Sequence, residues 1–460
     1  MSASPRDMAA TQPAPIDIGQ LLDLGPFTGT QKLIVALAAL SILMDGFDGQ
    51  LIGYAIPSIL KDWGVTRAAL VPVVAAGLVG MGLGSASAGL FADRFGRRWA
   101  VIASVLVFGA ATSCIGLAQD IAGLAGLRFL AGLGIGGALP SSTTLSAEFT
   151  PARLRTMAVT FTIVCVPLGG MLAGVFAGVV LPLYGWRGLF EVGGLVAIVF
   201  GIVLILTLPE SPRFLARRSQ RWPELRKLMS RISRVVSYNA PFFDSVEQGA
   251  LQRQGFAQLF SAGRARDTLA IWCAFFMSLL SVYSAFSWLP TMLSSAGLSV
   301  AVAGSGLTLY NLGGVVGALG CAVATTRFGS RWPMLICCLG AALSAGLLIN
   351  VDGRQNTNLL LLGLGVHGIF VNAVQSTLYS LCAFLYPTDI RATGTASALA
   401  FGRLGAILSA FTGAVVITAG GATAFLGMLC AAMLLVFAAL ALLAHHVPPP
   451  QRDRTLAARS

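Results

Sequence analysis

Apolar runs of about 20 residues, cut by short clusters of glycine, proline and charge, recur along the chain from residue 31 to residue 445. A helix rising about 1.5 Å per residue needs about 20 apolar residues to cross a hydrocarbon core ~30 Å thick. Dividing the runs at the polar clusters predicts spans near 31–53, 68–92, 99–118, 120–147, 155–183, 186–208, 267–290, 299–326, 332–351, 357–386, 391–419 and 421–445. The fold class expected is all-α integral membrane, with twelve transmembrane helices in two six-helix bundles. Residues 1–30 are expected as a cytoplasmic tail, 31–208 as the N-terminal bundle, 209–266 as a cytoplasmic linker with short surface helices, 267–445 as the C-terminal bundle and 446–460 as a cytoplasmic tail.

Composition fits a chain dissolved in lipid. Hydrophobic residues make up 56% and charged residues 10%, with a mean hydropathy of +0.81, whereas soluble domains carry about 25% charged residues. A soluble enzyme is excluded. The net charge of +12 does not mark a nucleic-acid partner, because the basic residues are dispersed between apolar runs. They do fix an orientation. The expected outer loops hold only Lys61, Arg67, Arg187 and Arg354, 24 of the 30 lysines and arginines lie on the other side, and Arg128 and Arg403 fall inside spans. By the positive-inside rule both termini are cytoplasmic, and no removable signal is visible in the first 30 residues. The eight cysteines all sit in apolar stretches without zinc-site spacing, so neither disulfides, nor structural metal, nor any cofactor is expected.

The two halves repeat. Arg94-Phe95-Gly96-Arg97-Arg98-Trp99 recurs as Arg327-Phe328-Gly329-Ser330-Arg331-Trp332, and Thr150-Pro151-Ala152-Arg153-Leu154-Arg155 aligns with Tyr386-Pro387-Thr388-Asp389-Ile390-Arg391. Two such bundles around a central cavity can rock and expose a midplane site to each side in turn.

Charges inside the bilayer mark that site, since each costs about 2.5–3.5 kcal/mol on insertion scales. Asp45 and Asp48 share a helical face by their i, i+3 spacing. By about 1.5 Å per residue, Asp45 and Arg128 reach similar depths, so an Asp45–Arg128 or Asp48–Arg128 pair is expected. His367 and Arg403 also reach the midplane, and Asn372, Gln375, Ser376 and Tyr379 form a polar stripe below His367. Arg403 offers a planar fork suited to a carboxylate. Phe47, Tyr283, Phe286, Trp288, Tyr310 and Tyr379 are candidate ring-stacking surfaces, although lone aromatics in a membrane bundle mostly serve packing or the interface belt. A neutral His367 bonded to a backbone carbonyl is the alternative to a ligand-facing one.

The run from Gly89 to Arg98, with Asp93, Arg94, Gly96 and Arg97, is similar to the loop motif of the major facilitator superfamily. Arg128 to Gly134 with Glu148 and Arg155, and Pro209-Glu210-Ser211-Pro212-Arg213, resemble its later signatures. Within it, Asp45-Gly46-Phe47-Asp48-Gly49 and the stretch from Tyr386 through Gly402-Arg403-Leu404-Gly405 resemble the aromatic acid:proton symporter family. The resemblance implies a bacterial inner-membrane importer of a small aromatic acid, of the benzoate or hydroxybenzoate class, with a proton. Asp45, Asp48 and Arg128 are expected in proton coupling, and Arg403, His367, Asn372, Gln375, Tyr379 and Phe47 in substrate binding. Gating is expected of Gly89, Asp93, Arg94, Gly96, Arg97, Glu148, Arg155 and Arg391, with Asp93 pairing with Arg97 or Arg155. Two departures stand out: Thr326 replaces the acid found at Asp93, and the span 5 proline motif is partial around Pro167. The expected protein is a monomer whose partners are the aromatic acid, the proton and the bilayer. A carrier for a sugar or another organic anion, and a membrane sensor that binds aromatic acids without moving them, are the rival readings.

Overall fold

The computed structural model describes residues 15–232, 241–244, 256–261, 263–387 and 390–449. Parts of both expected tails, Arg234 and Arg253 of the linker, and Thr388 and Asp389 of the second repeat lie outside the described residues. In chain order the helices are α1 (Ile18–Leu24), α2 (Gly29–Trp63), α3 (Arg67–Phe95), α4 (Arg97–Ile115), α5 (Ile121–Phe149), α6 (Ala152–Thr207), α7 (Pro212–Ala216), α8 (Trp222–Ile232), α9 (Ala265–Ser295), α10 (Val300–Phe328), α11 (Arg331–Leu348), α12 (Thr357–Leu385) and α13 (Arg391–Leu442). Two short strands, β1 (Ile16–Asp17) and β2 (Phe242–Phe243), pair in parallel and tie the chain start to the linker. Among the described residues, ten helices are long and apolar enough to cross a membrane.

Two of the ten are too long for one crossing. The 56 residues of α6 and the 52 of α13 would each extend to roughly 80 Å if straight. Each is broken by glycine in a conformation that L side chains avoid: Gly185 (φ 66°) in α6, and Gly421 (φ 60°) beside the non-helical Gly420 in α13. Their ends then come back together. Arg155 near the start of α6 and Arg213 just beyond its end both pair with Asp23. At α13, Arg391 donates to the Tyr386 carbonyl (3.2 Å), the Tyr386 hydroxyl reaches Thr268 (3.4 Å), and the amide of Ala444 donates to Asp267 (2.9 Å). Both elements are therefore tight helical hairpins, turning where the sequence divides 155–183 from 186–208 and 391–419 from 421–445. By contrast α2 runs ten residues past the expected end at 53, through Pro57. Buried neighbours accommodate a proline that would punctuate a soluble helix.

Helices α2–α6 pack among themselves, as do α9–α13, and the two groups meet along α6–α10, α3–α13 and α2–α9. Large apolar side chains such as Leu90, Leu206, Leu347 and Val415 remain exposed on the outer faces, as a surface facing acyl chains requires.

The repeated loop acquires a physical reason here. Gly96 (φ 106°) ends α3 and opens α4, and a Cβ there would overlap the Glu210 carboxylate. Glu210 accepts from the amides of Arg98 (3.1 Å) and Ser211 (2.9 Å), so it caps α4 from the linker. Burial pushes its carboxyl above the usual range, against the pull of those amides. In the second half Gly329 (φ 77°) occupies the matching place, but its partner is main chain: Ser330 N donates to Val447 O (2.9 Å) and Val447 N to the Ser330 hydroxyl (2.9 Å).

Candidate functional site

A cavity lies where the two halves meet. Its walls include Asp45, Met81, Ile135, Leu139, Val164 and Pro167 from the first half, and Tyr283, Phe286, Asn372, Gln375, Tyr379 and Arg403 from the second. The first half thus supplies an apolar slab with one carboxyl, the second half the polar groups. It encloses about 70 Å³, space for roughly five waters, so a ring with its carboxylate enters only if the walls yield.

Arg403 is the group that crosses the interface. Its Nη1 donates to the Met81 sulfur of α3 (2.7 Å) and to the Tyr283 hydroxyl of α9 (2.9 Å), and its Nη2 reaches the Ser85 hydroxyl (3.5 Å). Tyr283 in turn donates to Met81 (3.1 Å). A thioether is a weak acceptor for a guanidinium, which makes these contacts easy for an anion to replace. Asp45 is the carboxylate whose charge acts on Arg403 from α2.

The two aspartates do not share one cavity. Asp45 lines it, whereas Asp48 turns into the first half, with Arg128 and Thr112 as its polar neighbours. The expected direct pair is not made: among the described residues, neither Asp48 oxygen and neither Nε nor Nη1 of Arg128 has a hydrogen-bond partner. Arg128 acts on Asp48 through its field, and Arg403 rather than Arg128 faces Asp45.

Two expected binding residues lie elsewhere. Phe47, two residues and about 200° around α2 from Asp45, packs on Phe176 (5.2 Å between rings) inside the first half. His367 sits behind the cavity, its Nδ1 against the Ala341 carbonyl (3.1 Å) and the Ser344 hydroxyl (3.0 Å) of α11, and its ring beside Tyr310. A carbonyl only accepts, so Nδ1 carries a proton, and His367 takes the structural alternative. Tyr310 and Trp288 are likewise buried in the second half, while Tyr283, Phe286 and Tyr379 line the cavity.

At the linker end Asp93 pairs with Arg97 (2.6 Å), and Arg97 Nε lies 3.5 Å from Glu148. Arg155 does not join them. It pairs with Asp23 of α1 and donates to the Ala147 carbonyl (3.1 Å), as Arg391 does to Tyr386 in the second half. Arg94 packs over Phe95, and its carbonyl accepts from Arg218 of the linker (2.6 Å). Gly89 leaves open space around its Cα.

Sequence reasoning missed the contacts beyond the cavity, toward the end away from the linker. Gln50 of α2 and Asn311 of α10 exchange amide hydrogen bonds across the halves: Asn311 Nδ2 donates to Gln50 Oε1 (2.7 Å) and Gln50 Nε2 to Asn311 Oδ1 (3.3 Å), both side chains buried. Close by, a Cβ on Gly53 would overlap the Phe286 carbonyl, and the Tyr54 hydroxyl donates to Gly170 O (3.0 Å). The available signal was Gln50 itself, an amide in an apolar span two residues past Asp48.

Two parallel-repeated halves around an interfacial cavity holding a carboxyl and a guanidinium define a membrane carrier. The chain belongs to the Major Facilitator Superfamily, whose sequence profile matches residues 38–306 and 271–460. It is 37% identical over 408 residues to the 4-hydroxybenzoate transporter PcaK of Pseudomonas putida, covering 88% of this chain and 90% of that protein. It is 34% identical to the gallate transporter of Pseudomonas putida, with the same coverage of 88% and 90%. Among solved structures it is similar to the partially occluded inward open conformation of the xylose transporter XylE from E. coli, with a TM-score of 0.71, 19% identity, and 91% of this chain and 99% of that one covered. The chain is a transporter, not an enzyme.

Proposed function

We propose that this chain imports an aromatic carboxylate of the benzoate or hydroxybenzoate class with protons, by alternating access, across a bacterial inner membrane. Its ten long helices, two of them hairpins, count as twelve spans, with both termini and the linker cytoplasmic. Names of relatives that carry 4-hydroxybenzoate and gallate support the substrate class. The observation that carries the reading is Arg403 at the cavity wall, bridging to the opposite half and facing Asp45.

The geometry suggests how the two ions are coupled. Asp45 as a carboxylate competes with a substrate carboxylate for Arg403. A proton on Asp45 removes that competition, and the guanidinium then exchanges Met81 and Tyr283 for the anion. Asp48, with Arg128 beside it, is the second proton carrier, one turn further along α2. Uphill import of an anion against a negative interior costs about 2.3 kcal/mol per 100 mV, which accompanying protons offset. The Asp93–Arg97–Glu148 cluster closes the cytoplasmic side of the first half, and Gln50–Asn311 closes the opposite side.

Proteoliposome uptake of benzoate, 4-hydroxybenzoate, protocatechuate, gallate and a hexose, with and without an inward proton gradient, tests this. Gradient-driven accumulation of the aromatic acids and not of the hexose is expected. Accumulation indifferent to the gradient, or of the hexose alone, refutes it.

A further inference from the structure

The polar stripe on α12 has a finer structure than a set of cavity-lining groups. Gln375 is almost fully buried at the cavity wall, and its Oε1 accepts from the Ser278 hydroxyl of α9 (2.7 Å). With the oxygen engaged there, the nitrogen is the end left for the cavity. Its Nε2, two unused N–H donors, has no hydrogen-bond partner among the described residues. Asn372 lies one turn away on the same wall and is also buried; its own Nδ2 donates back to the Gly368 carbonyl (3.2 Å), leaving its carbonyl oxygen for the cavity. α12 therefore presents a donor and an acceptor side by side, the second oriented by a carbonyl that can only accept.

A carboxylate accepts and cannot donate, and an unsubstituted ring does neither. A phenolic hydroxyl does both at once. Resting on the aromatic-acid reading above, we infer that Gln375 and Asn372 recognise a hydroxyl group on the substrate ring, Gln375 donating to its oxygen and Asn372 accepting its hydrogen. Ser278 is a positioning residue that acts through Gln375. Tyr379, one turn further along α12 on the same wall, has both Arg403 and the Gln375 amide beside its hydroxyl. The apolar slab of Ile135, Leu139, Val164 and Pro167 faces the ring from the other half. The preferred substrate is accordingly a ring-hydroxylated aromatic acid.

The test is the ratio of kcat/KM for 4-hydroxybenzoate to that for benzoate, measured in proteoliposomes under an imposed proton gradient. Gln375→Leu is expected to lower the ratio about tenfold, the scale of one buried hydrogen bond lost to a partner that needs it. Ser278→Ala should lower it by a smaller factor, and Ser278→Thr, which keeps the hydroxyl, should restore it. A ratio unchanged in Gln375→Leu, because both acids lose equally or neither does, overturns the inference; equal losses would make Gln375 an additional carboxylate anchor. If Gln375→Leu does not fold, the Ser278→Ala and Ser278→Thr pair decides by the same ratio. Wild-type protein that moves neither acid in response to the gradient refutes the function itself, a distinct result.

Discussion

The amide pair Gln50–Asn311 closes the end of the interface away from the linker, and breaking it should open that end. Two reciprocal hydrogen bonds join the side chains. Replacing one partner by leucine removes both and strands buried polar atoms of the other, the Gln50 amide in Asn311→Leu and the Asn311 oxygen in Gln50→Leu, where Asn311 Nδ2 keeps the Leu307 carbonyl (3.0 Å), at a cost of about 1–3 kcal/mol for the unpaired group. In the conformation open at this end the surviving amide meets water and recovers its bonds, so the cost falls on the closed form alone. Taking about 2 kcal/mol, the open population of Gln50→Leu or Asn311→Leu rises roughly 30-fold. Ser58, on the wall of a second cavity between α2, α6 and α10 at this end, reports it. A cysteine there, in protein whose exposed Cys114 and Cys273 are changed to serine, should react with a membrane-impermeant maleimide faster in either single variant. The double variant should fall back towards wild type, because two leucines leave no stranded amide. Labelling unaffected by the single changes, or single effects that simply add in the double variant, would refute the clasp.

Asp45→Asn and Asp48→Asn should abolish accumulation driven by an imposed pH gradient, with Asp45→Asn still permitting substrate exchange because Arg403 has lost its competitor; the measurement is radiolabelled uptake set against counterflow. Arg403→Ala should weaken binding of every aromatic acid by at least tenfold, and Arg403→Lys should recover only part, since the two-pronged contact with a carboxylate is gone. Gly96→Ala should destabilise the protein by roughly 1–3 kcal/mol, seen as a lower unfolding temperature in detergent, because its φ of 106° and the adjacent Glu210 carboxylate both oppose a Cβ. Gly82, where a Cβ meets nothing within 4 Å, is the control. Because the Glu210 carboxyl is held above its usual range by burial, its contribution to stability is present in full below the unfolded value and is lost as pH rises through the folded one. The unfolding temperature of wild type relative to Glu210→Gln should therefore fall as pH rises above the ordinary glutamate range, and a pH-independent difference would contradict that.

Much of this was legible because lipid imposes a strong code. Apolar length gave the helices, and charges in apolar runs gave Asp45 and Arg403 at the cavity, because such groups need a partner. The hairpins at Gly185 and Gly420–Gly421 read as span boundaries even though no loop separates the helices there. Rotation about a helix axis was harder to read. Phe47 and His367 have the right depth and the wrong azimuth, and depth arithmetic alone does not distinguish them from Asp45 and Gln375. The same holds for Asp48, whose i, i+3 spacing from Asp45 leaves about 60° between them, enough to turn it from the cavity towards Arg128. Contacts between halves, such as Arg403 with Met81 or Gln50 with Asn311, depend on how two bundles dock, which no local pattern encodes.

The unequal anchoring of the two repeated loops has a practical side. Around Gly96 the loop is held by an ionisable group supplied by the linker, so acidity and salt act on it. Around Gly329 it is held by peptide groups of residue 447, on the last described stretch of the chain, with the His446 imidazole against the Ser330 hydroxyl (3.4 Å). Deletions that stop short of residue 447 would therefore loosen one half while sparing the other, and an affinity handle is better placed after residue 449 than spliced in ahead of it.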